Sequence, residues 1–496
     1  LLALATGTAD AQPIVVDTLQ DVYDTGTNAT VADLPGPDGK ISMREATYAA
    51  NNTPGPHTIE FAIPETEFYL DTAIALLRLE DGPWVFTADN ITIDFSSQAD
   101  RIGDTNPDGP EVGMYGWEVN GWGVPALYIA GDNCTVKGLG KVYSRATSIL
   151  ILGSNNKVIG CKTLGVEIDQ GWQGPPASFN VIGGTEPGES NDLGFVDILS
   201  WADDNVVIGN RIDTIQVTGS TFSTFPKRNR IGGPSDAERN VINGFGSRSG
   251  EGFPTGQGVL VNFAQETLIQ NNYIGVDESG TQRVVQIGPS GIEVRDSVDT
   301  TILGNLIAGI WVEGSNHSAG QTFGAGIRVA SINRDNEGVL IQGNTIGADH
   351  TGQNRIQTLN GIIVSQFTGL YTPHGTVIGG VEPGQGNLVA YCDRFGVAVG
   401  PPTEDAIISG NAIHSNASLG IDLSTWAGYD GVTPNDPGDT DTQGGNALQN
   451  FPVLSSATAS SGQTLVSGTL DSHPSTLYRI EFFANSQCDP SGNGQG

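Results

Sequence analysis

The pattern Gly-aliphatic-X-aliphatic-X recurs along this chain, and each copy leads to a second aliphatic run that often closes on Gly-Asn-X-Ile. Short alternating strands bounded by Gly, Asn and Asp, repeated at roughly rung length, predict a stacked parallel β-coil. The clearest first runs begin at Gly291, Gly326 and Gly396, and the clearest closing motifs are 304–307, 343–346 and 410–413. Each rung cannot bury its own apolar face, so stacking must build the core.

A second motif, Ile-Gly-Gly, interleaves with the first at 182–184, 231–233 and 378–380. In each copy an Asn follows seven residues after the last Gly, namely Asn191, Asn240 and Asn387. Gly and Asn suit corners with positive φ, and stacked Asn side chains can satisfy backbone groups there. These motifs are therefore predicted to be structural.

Both ends of the coil carry other signals. Residues 1–11 resemble the tail of a secretory signal peptide with a small-X-small cleavage site, which predicts export. No later apolar stretch approaches the ~20 residues needed to span a bilayer. A short helix is predicted within Asp38–Asn52, as part of a cap over the first rung. Beyond Phe451, alternating runs at 464–468 and 478–483 predict strands of a second module.

Composition limits the partners. The chain has 55 acidic and 22 basic residues and a formal charge of −33, which argues against nucleic acid and anionic membranes. The negative charge argues more weakly against binding to polyanionic glycans, unless calcium bridges the protein and the glycan. Four Cys permit disulfides in an exported protein, but their spacing fits neither a zinc site nor CxxC. Aligning the runs around Cys134 and Lys157 matches Cys134 with Asn156 rather than with Cys161.

The segment Asp38–Asn51, with Ser42 and Arg44-Glu45-Ala46, resembles the amino-terminal signature of CSLREA-type exported proteins. Ile41 and Met43 stand where that signature has Cys and Leu. The coil is similar to right-handed parallel β-helix repeat proteins over most of the chain. The resemblance implies an exported or cell-surface protein, and it carries over no catalytic residue.

We therefore expect an all-β protein. Its core is a right-handed parallel β-helix (solenoid), with a short N-terminal cap and the start of a C-terminal β-sandwich-like module. The predicted boundaries are a signal-peptide remnant at 1–11, a cap at 12–65, the β-helix at 66–450 and the truncated module at 451–496.

Period two along the Gly-aliphatic strands sends Ile292 and Val294 inward and Glu293 and Arg295 outward. The outward positions form a polar stripe: Glu167, Asp169, Asp197, Asn262, Glu293, Arg295, Arg328, Ser365 and Asp422. Such a stripe on one sheet is where β-helix glycosidases and lyases place their substrate grooves. An outward face must also carry something polar, and Glu293 near Arg328 is an ordinary cross-rung pair.

If the stripe is catalytic, the candidate acids and bases are Glu167, Asp169, Asp197 and Glu293. The candidate substrate-binding residues are Trp172, Trp201, Asn262, Arg295 and Arg328. Carboxylates on adjacent rungs have backbones ~4.8 Å apart, and both glycosidase separations, ~5–5.5 Å and ~6.5–9.5 Å, are reachable. A glycoside hydrolase is favoured over a lyase, because a lyase needs a base and a charge-neutralising partner and the stripe offers few cations.

Calcium is the predicted cofactor. Asp104-Thr105-Asn106-Pro107-Asp108-Gly109 reproduces the opening of an EF-hand-like loop, so Asp104, Asn106 and Asp108 are the candidate ligands. Tyr115 occupies position twelve, and Glu111 or Glu118 would have to replace the bidentate carboxylate. A second candidate begins at Asp439-Thr440-Asp441.

The sequence thus favours a secreted or cell-surface β-helix protein, such as an adhesin, that engages extracellular polysaccharide or cell-surface glycans without catalysis. A rigid repetitive face suits multivalent weak contacts. The alternative is a secreted polysaccharide-degrading enzyme that uses the carboxylates of the stripe.

Overall fold

A computed structural model describes residues 12–68, 73–115, 125–143, 148–170, 174–220, 224–243, 256–284, 288–311, 324–366, 370–425, 431–485 and 494–495. The chain divides into two compact units: unit 1 contains residues 1–212 and 226–240, and unit 2 contains residues 213–225 and 241–496. Each is built of parallel strands from successive rungs, so the predicted all-β right-handed parallel β-helix is confirmed. The predicted signal-peptide remnant at 1–11 lies outside the described residues.

Unit 1 contains three parallel sheets. The strands of the first are Ile14–Val16, His57–Phe61, Ile91–Asp94, Thr135–Lys137, Lys157–Ile159, Val181–Gly183, Val206–Ile208 and Arg230–Gly232. Those of the second are Trp84–Phe86, Leu127–Ile129, Ile149–Ile151, Lys162–Ile168 and Asp192–Ile198, and those of the third are Ala75–Arg78, Val112–Tyr115 and Val142–Tyr143. The helices are α1 (Met43–Asn52), α2 (Ser97–Ile102) and the 3₁₀ turns Val31–Asp33, Glu65–Glu67 and Asp236–Glu238.

Unit 2 repeats the arrangement. One face contains Leu268–Gln270, Thr301–Leu303, Leu340–Gln342, Val377–Gly379 and Ile407–Ser409. A second face contains Val259–Asn262, Ser290–Arg295, Ala325–Ser331, Asn360–Gln366, Val397–Val399 and Ile421–Leu423, and Arg211–Thr218 pairs with its first strand through residues 215–218. Shorter strands are Val241–Ile242, Tyr273–Ile274, Leu306–Ile307, Thr345–Ile346, Leu388–Ala390 and Ala412–His414, with the pair Asn336–Glu337 and Pro373–His374. A 3₁₀ turn, Gly445–Leu448, precedes the hairpin Val453–Ser460 and Gln463–Thr469.

The core is a set of aliphatic ladders, as the alternation predicts. In unit 2, Ile292, Ile327, Ile362 and Val397 are register partners on successive rungs and are all fully buried. Stacking like side chains at each rung removes apolar surface from water at ~25 cal/mol per Å². Every rung therefore depends on its neighbours for its core.

Asparagine ladders hold the corners, which confirms the structural role predicted for these residues. In unit 1, Asn156, Asn180, Asn205 and Asn229 stack with each backbone N–H donating to the next Asn Oδ1. A second ladder in unit 1 contains Asn191, Asn210 and Asn240, and unit 2 has one of Asn272, Asn305, Asn344, Asn387 and Asn411. The ladders satisfy backbone groups that no sheet pairs.

Cysteines begin some of these ladders. The Cys134 N–H donates to Asn156 Oδ1, which confirms the predicted alignment, and the Cys161 N–H donates to Asn191 Oδ1. Cys134, Cys161 and Cys392 are free thiols, while Cys488 lies outside the described residues. Burial raises the pKa of Cys161 and of Cys392 to about 12, so both are inert at neutral pH.

The short helix predicted within Asp38–Asn52 is confirmed as α1, which begins at Met43. Ser42 and Glu45 form a capping box, with the Glu45 N–H donating to Ser42 Oγ and the Ser42 N–H donating to Glu45 Oε2. Its apolar face packs against Ile14–Val16 and Trp84–Phe86. A buried Arg44–Asp21 ion pair at 2.6 Å ties α1 to the first rungs.

Two further segments differ from the sequence expectation. Helix α2 was not predicted; it forms where Gln98 exchanges two 2.8 Å hydrogen bonds with the backbone of Ile63, a tertiary contact that no local pattern signals. The run at 464–468 lies in the second strand of the hairpin, but 478–483 forms no strand. The boundaries at 65/66 and 450/451 stay predictions.

Candidate functional site

The polar stripe falls into separate groups in the two units. Glu167, Asp169 and Asp197 lie in unit 1, and Glu293 lies in unit 2. Asn262, Arg295 and Arg328 also lie in unit 2, and Trp201 lies in unit 1. Trp172 lies outside the described residues. The structure therefore presents two candidate sites, one in each unit.

The unit 1 site is a row of outward side chains on adjacent rungs. In register, Tyr128 pairs with Leu150, Leu150 with Glu167, and Glu167 with Asp197. Glu167 is partly buried, whereas Asp197 is only 2% exposed. Two carboxylates thus occupy neighbouring rungs whose backbones are ~4.8 Å apart.

Tyr128 belongs to this row, although the sequence reading did not select it. Burial raises the pKa of the Tyr128 phenol, and the charge of Glu167 raises it further, so the phenol keeps its proton at neutral pH. The residue lies in a strand that lacks the Gly-aliphatic signature, and only the register places it near Glu167. Asp169 is partly exposed and directly follows the strand Lys162–Ile168 that contains Glu167.

Exposed aromatic side chains lie on the loops that follow this row. Trp201, three residues beyond the strand that contains Asp197, is 43% exposed with φ 62°. Phe179 is 59% exposed with φ 60°, and its N–H donates to Asp203 O at 3.3 Å. Bulky residues rarely adopt the left-handed region, where strain costs ~1–3 kcal/mol.

Phe179 is a residue that sequence reasoning missed. It occupies a corner column, immediately before a ladder Asn, where other rungs place Asn133, Asn155 and Asp204 with φ between 56° and 58°. Arg228, with φ 53° before Asn229, belongs to the same column, so the other members are polar and an aromatic ring there is a signal that alignment of the rungs would have found.

The unit 2 site is a closed polar cluster, and this corrects the expectation of an open stripe. Glu293 and Arg328 are register partners, as the cross-rung pairing predicts, but they are 0% and 2% exposed. Glu293 Oε1 accepts from Arg295 Nε at 2.7 Å, and Oε2 accepts from Gln257 Nε2 at 2.7 Å. Arg328 Nη1 lies 4.0 Å from Glu293 Oε1.

The same burial continues along the outward row of unit 2. Arg328 pairs with Ile363, Ile363 with Ala398, and Ala398 with Asp422, and all of them are buried. Ser365 is also buried, whereas Asn262 is partly exposed. This face of unit 2 is therefore not an open groove at these positions.

The predicted calcium loop at Asp104 forms a turn, with the Gly109 N–H donating to Asn106 O at 3.0 Å. Asn106 Nδ2 donates to Pro110 O, and Lys162 Nζ donates to Asp108 O at 3.2 Å. Burial raises the pKa of Glu111, and the nearby Asp104 carboxylate adds to the shift. Glu118 lies outside the described residues.

Within the described ranges, the carboxylates that do converge are Asp436, Asp439 and Asp441 in unit 2, with ligand atoms within 4.8 Å of one another. Two of them belong to the second calcium candidate. Burial raises the pKa of Asp441, and the charges of Asp436 and Asp439 raise it further. The arrangement has the oxygen chemistry that Ca²⁺ prefers.

A cavity of about 610 Å³ lies in unit 2 beside the strand Ile421–Leu423. It is lined by apolar residues such as Ile413, Leu448 and Phe483, and its described lining includes no carboxylate. Its chemistry therefore offers no acid or base. No helix in the described part of the chain is both long and apolar enough to cross a bilayer.

Comparison with known proteins adds little beyond the fold. No protein-family model matches the chain, and no curated protein matches it. Among solved structures, the chain is similar to the Azotobacter vinelandii mannuronan C-5 epimerase AlgE4 A-module, with 11% sequence identity and a TM-score of 0.37. The match covers 80% of this chain and 96% of that chain.

Proposed function

We propose that this protein is an exported surface or matrix β-helix protein that engages extracellular glycans or neighbouring cells without catalysis. The observation that carries the proposal is the exposed ring of Trp201 beside the Glu167–Asp197 row. An aromatic ring presents an apolar face to the C–H side of a sugar, while the partly exposed carboxylates of Glu167 and Asp169 accept from its hydroxyls. Phe179 supplies a second exposed ring from a neighbouring rung.

The non-catalytic form of the proposal is supported by burial. A general acid or base must come within hydrogen-bond reach of the bond that it cleaves. Asp197 is 2% exposed and Glu293 is 0% exposed, so two of the four candidate carboxylates are withdrawn from a polymer in solvent. Trp201, in contrast, is accessible.

Export is part of this proposal and is supported by the signal-like residues 1–11 and the CSLREA-type resemblance at Asp38–Asn51. The formal charge of −33 favours neutral glycans over anionic ones, because a strongly acidic surface repels a polyanion. Calcium, which would bridge acidic groups, is proposed to bind at the acidic carboxylates of unit 2.

A second candidate function is glycoside hydrolysis in unit 1. Glu167 and Asp197 occupy adjacent rungs with ~4.8 Å between backbones. Retaining glycosidases place their carboxyl groups ~5–5.5 Å apart and inverting ones ~6.5–9.5 Å apart, and side chains on adjacent rungs can reach either separation. The protonated phenol of Tyr128 near Glu167 would add a hydrogen-bond donor.

The test is binding to a glycan panel with wild type and Trp201→Asn. Asn tolerates the left-handed conformation, so the fold should survive. We expect ~10-fold or more weaker binding with an unchanged melting temperature. The matched control is Tyr115→Asn, because Tyr115 is also an exposed aromatic residue of unit 1, 49% exposed, and binding should persist. Equal binding by wild type and Trp201→Asn would contradict the proposal.

Reducing-sugar release on the same panel separates binding from hydrolysis. If the protein binds glycans without catalysis, it releases no reducing sugar. If wild type cleaves a glycan and Glu167→Gln lowers turnover ~10²-fold without unfolding the coil, the hydrolase replaces the non-catalytic function. Ultraviolet absorbance from unsaturated products would identify a lyase instead.

A further inference from the structure

The two exposed aromatic rings of unit 1 lie on adjacent rungs at one corner of the coil. We propose that Trp201 and Phe179 bind different sugar residues of one linear, uncharged glycan chain, which lies along the direction of the rungs rather than along the coil axis. This ligand geometry rests on the proposed function, to which it adds a length requirement and an orientation.

Both residues lie between a strand of the second sheet of unit 1 and the next strand of the first sheet. Phe179 is two residues before the first-sheet strand Val181–Gly183, and Trp201 is three residues beyond the second-sheet strand Asp192–Ile198. The Phe179 N–H donates to Asp203 O at 3.3 Å, so the two connections are in direct contact. The rings therefore belong to one surface.

The backbone offset between the two residues is one rung in one direction and three residues in the other. Phe179 occupies the same column as Asp204, since each immediately precedes a ladder Asn. Trp201 is three residues before Asp204, a span of at most about 11 Å along the chain. Adjacent rungs are ~4.8 Å apart. A short oligosaccharide can therefore reach from one residue to the other.

Both rings are accessible for stacking. Phe179 is 59% exposed and Trp201 is 43% exposed, and within the described ranges neither packs against another aromatic ring. Their φ angles of 60° and 62° are strained for bulky residues, and such strain clusters at functional sites. Asn or Gly would relieve the strain at both positions, so two exposed aromatic residues there indicate a binding surface.

Polar groups flank Phe179 on both neighbouring rungs. Asn155 is exposed in the same column on one side, and Asp204 occupies the column on the other side. Asp204 accepts from Arg228 Nε at 2.8 Å and from Arg228 Nη2 at 2.7 Å, so the pair carries no net charge. Each carboxylate oxygen can accept a further hydrogen bond. An aromatic ring beside an amide and a neutral ion pair fits the apolar face and the hydroxyls of an uncharged sugar.

Burial determines the orientation of the chain. Along the coil axis, the outward row passes through Leu150 and Asp197, which are 9% and 2% exposed, so the row is not a continuous open surface. The accessible residues Asp169, Trp201 and Phe179 instead follow one another across the coil, from the end of the second sheet to the start of the first. A glycan that contacts all three runs along the rungs and is an oligosaccharide rather than a single sugar.

The test measures affinity against chain length, by isothermal titration of the full chain with cello-, manno- and chito-oligosaccharides of two to six units. In the series that binds, the longest member should bind ~10-fold or more tightly than the disaccharide, because it adds the second stacking contact. Phe179→Asn should remove this gain and leave the disaccharide, held at Trp201, unchanged. Phe179→Tyr retains an aromatic ring and should bind as wild type does.

Two controls accompany these variants. Asn suits the left-handed conformation of the column, so the melting temperature of Phe179→Asn should stay the same or rise. Tyr115→Asn removes an exposed aromatic ring elsewhere in unit 1 and should leave affinity unchanged at every chain length.

The two-ring geometry is overturned if affinity does not rise with chain length, or if Phe179→Asn binds the longest oligosaccharide as tightly as wild type does. Loss of the length dependence in Tyr128→Phe instead of Phe179→Asn would place the chain along the coil axis and also overturn it. If Trp201→Asn still weakens binding in these cases, the proposed function survives. If no series binds, or if Trp201→Asn binds as wild type does, the proposed function fails together with the geometry.

Discussion

Asn180 donates both its backbone N–H and its side-chain Nδ2 to Asn205 Oδ1, at 2.9 and 3.0 Å. Asn205 repeats the arrangement toward Asn229 and also donates to Ala177 O at 3.0 Å. The Asn205 side chain therefore satisfies two backbone groups of neighbouring rungs, the Asn180 N–H and the Ala177 carbonyl. The corner depends on one residue type in one conformation.

Asn205→Ala should lower the free energy of unfolding of the protein by about 3 kcal/mol, because it leaves several buried donors without an acceptor. Urea denaturation monitored by circular dichroism measures this loss. Asn155→Gly is the control, since Asn155 is exposed with φ 58° and glycine accepts that conformation. The free energy of unfolding of Asn155→Gly should stay within ~0.5 kcal/mol of the wild-type value. Similar losses in both variants would contradict the ladder's role.

Glu293→Gln should also destabilise the protein, by about 3 kcal/mol, because it breaks a buried ion pair and turns an amide toward the Gln257 donor. An exposed stripe would have predicted ~1 kcal/mol or less. The control is Glu404→Gln at an exposed position of unit 2. Equal chemical-denaturation midpoints for wild type and Glu293→Gln would show that the cluster contributes nothing to the stability of the fold.

Asp349 should make stability depend on pH in the acid range. Burial alone would raise its pKa, but hydrogen bonds from Asn354, Thr351 and the Gln353 N–H outweigh burial and lower the pKa. A lowered folded-state pKa contributes stability that is present above the unfolded value of 3.8 and is lost as pH falls further.

Asp349→Ala is therefore expected to cost about 2 kcal/mol at pH 7, and the difference from wild type should narrow at pH 3. Urea midpoints at both pH values measure this. Glu404→Ala, at an exposed position, should show no comparable difference at either pH. A wild-type advantage that is equal at pH 7 and pH 3 would rule out the proposed linkage.

Calcium should raise the melting temperature through the Asp436–Asp439–Asp441 cluster, because binding to the folded state alone stabilises it and relieves repulsion at Asp441. Differential scanning fluorimetry with calcium and then with a chelator tests this. Asp439→Asn combined with Asp441→Asn should abolish the shift. Asp104→Asn combined with Asp108→Asn tests the sequence-predicted loop, and loss of the shift only there would assign calcium to that loop.

Much of the fold follows from local pattern. Period two determines that Ile292 and Val294 face the core, Gly and Asn mark corners that need positive φ, and Ser42 with Glu45 starts α1. Each of these depends on residues close in sequence, so one sequence is enough to predict them. Helix α2 depends on Gln98 reaching Ile63, a contact between distant residues, and no local pattern reveals it.

The candidate sites divide in the same way. Alternation alone predicts that Glu167, Asp197, Glu293 and Arg328 point outward, and the register agrees. A side chain that points outward from the coil is not necessarily exposed to solvent. Burial depends on what packs over a strand, and only the register across rungs brings Tyr128 near Glu167. The sequence by itself determined the ladder of rungs and the polarity of each face; only the tertiary structure decided which polar side chains meet water, because solvent access is set by residues far away along the chain.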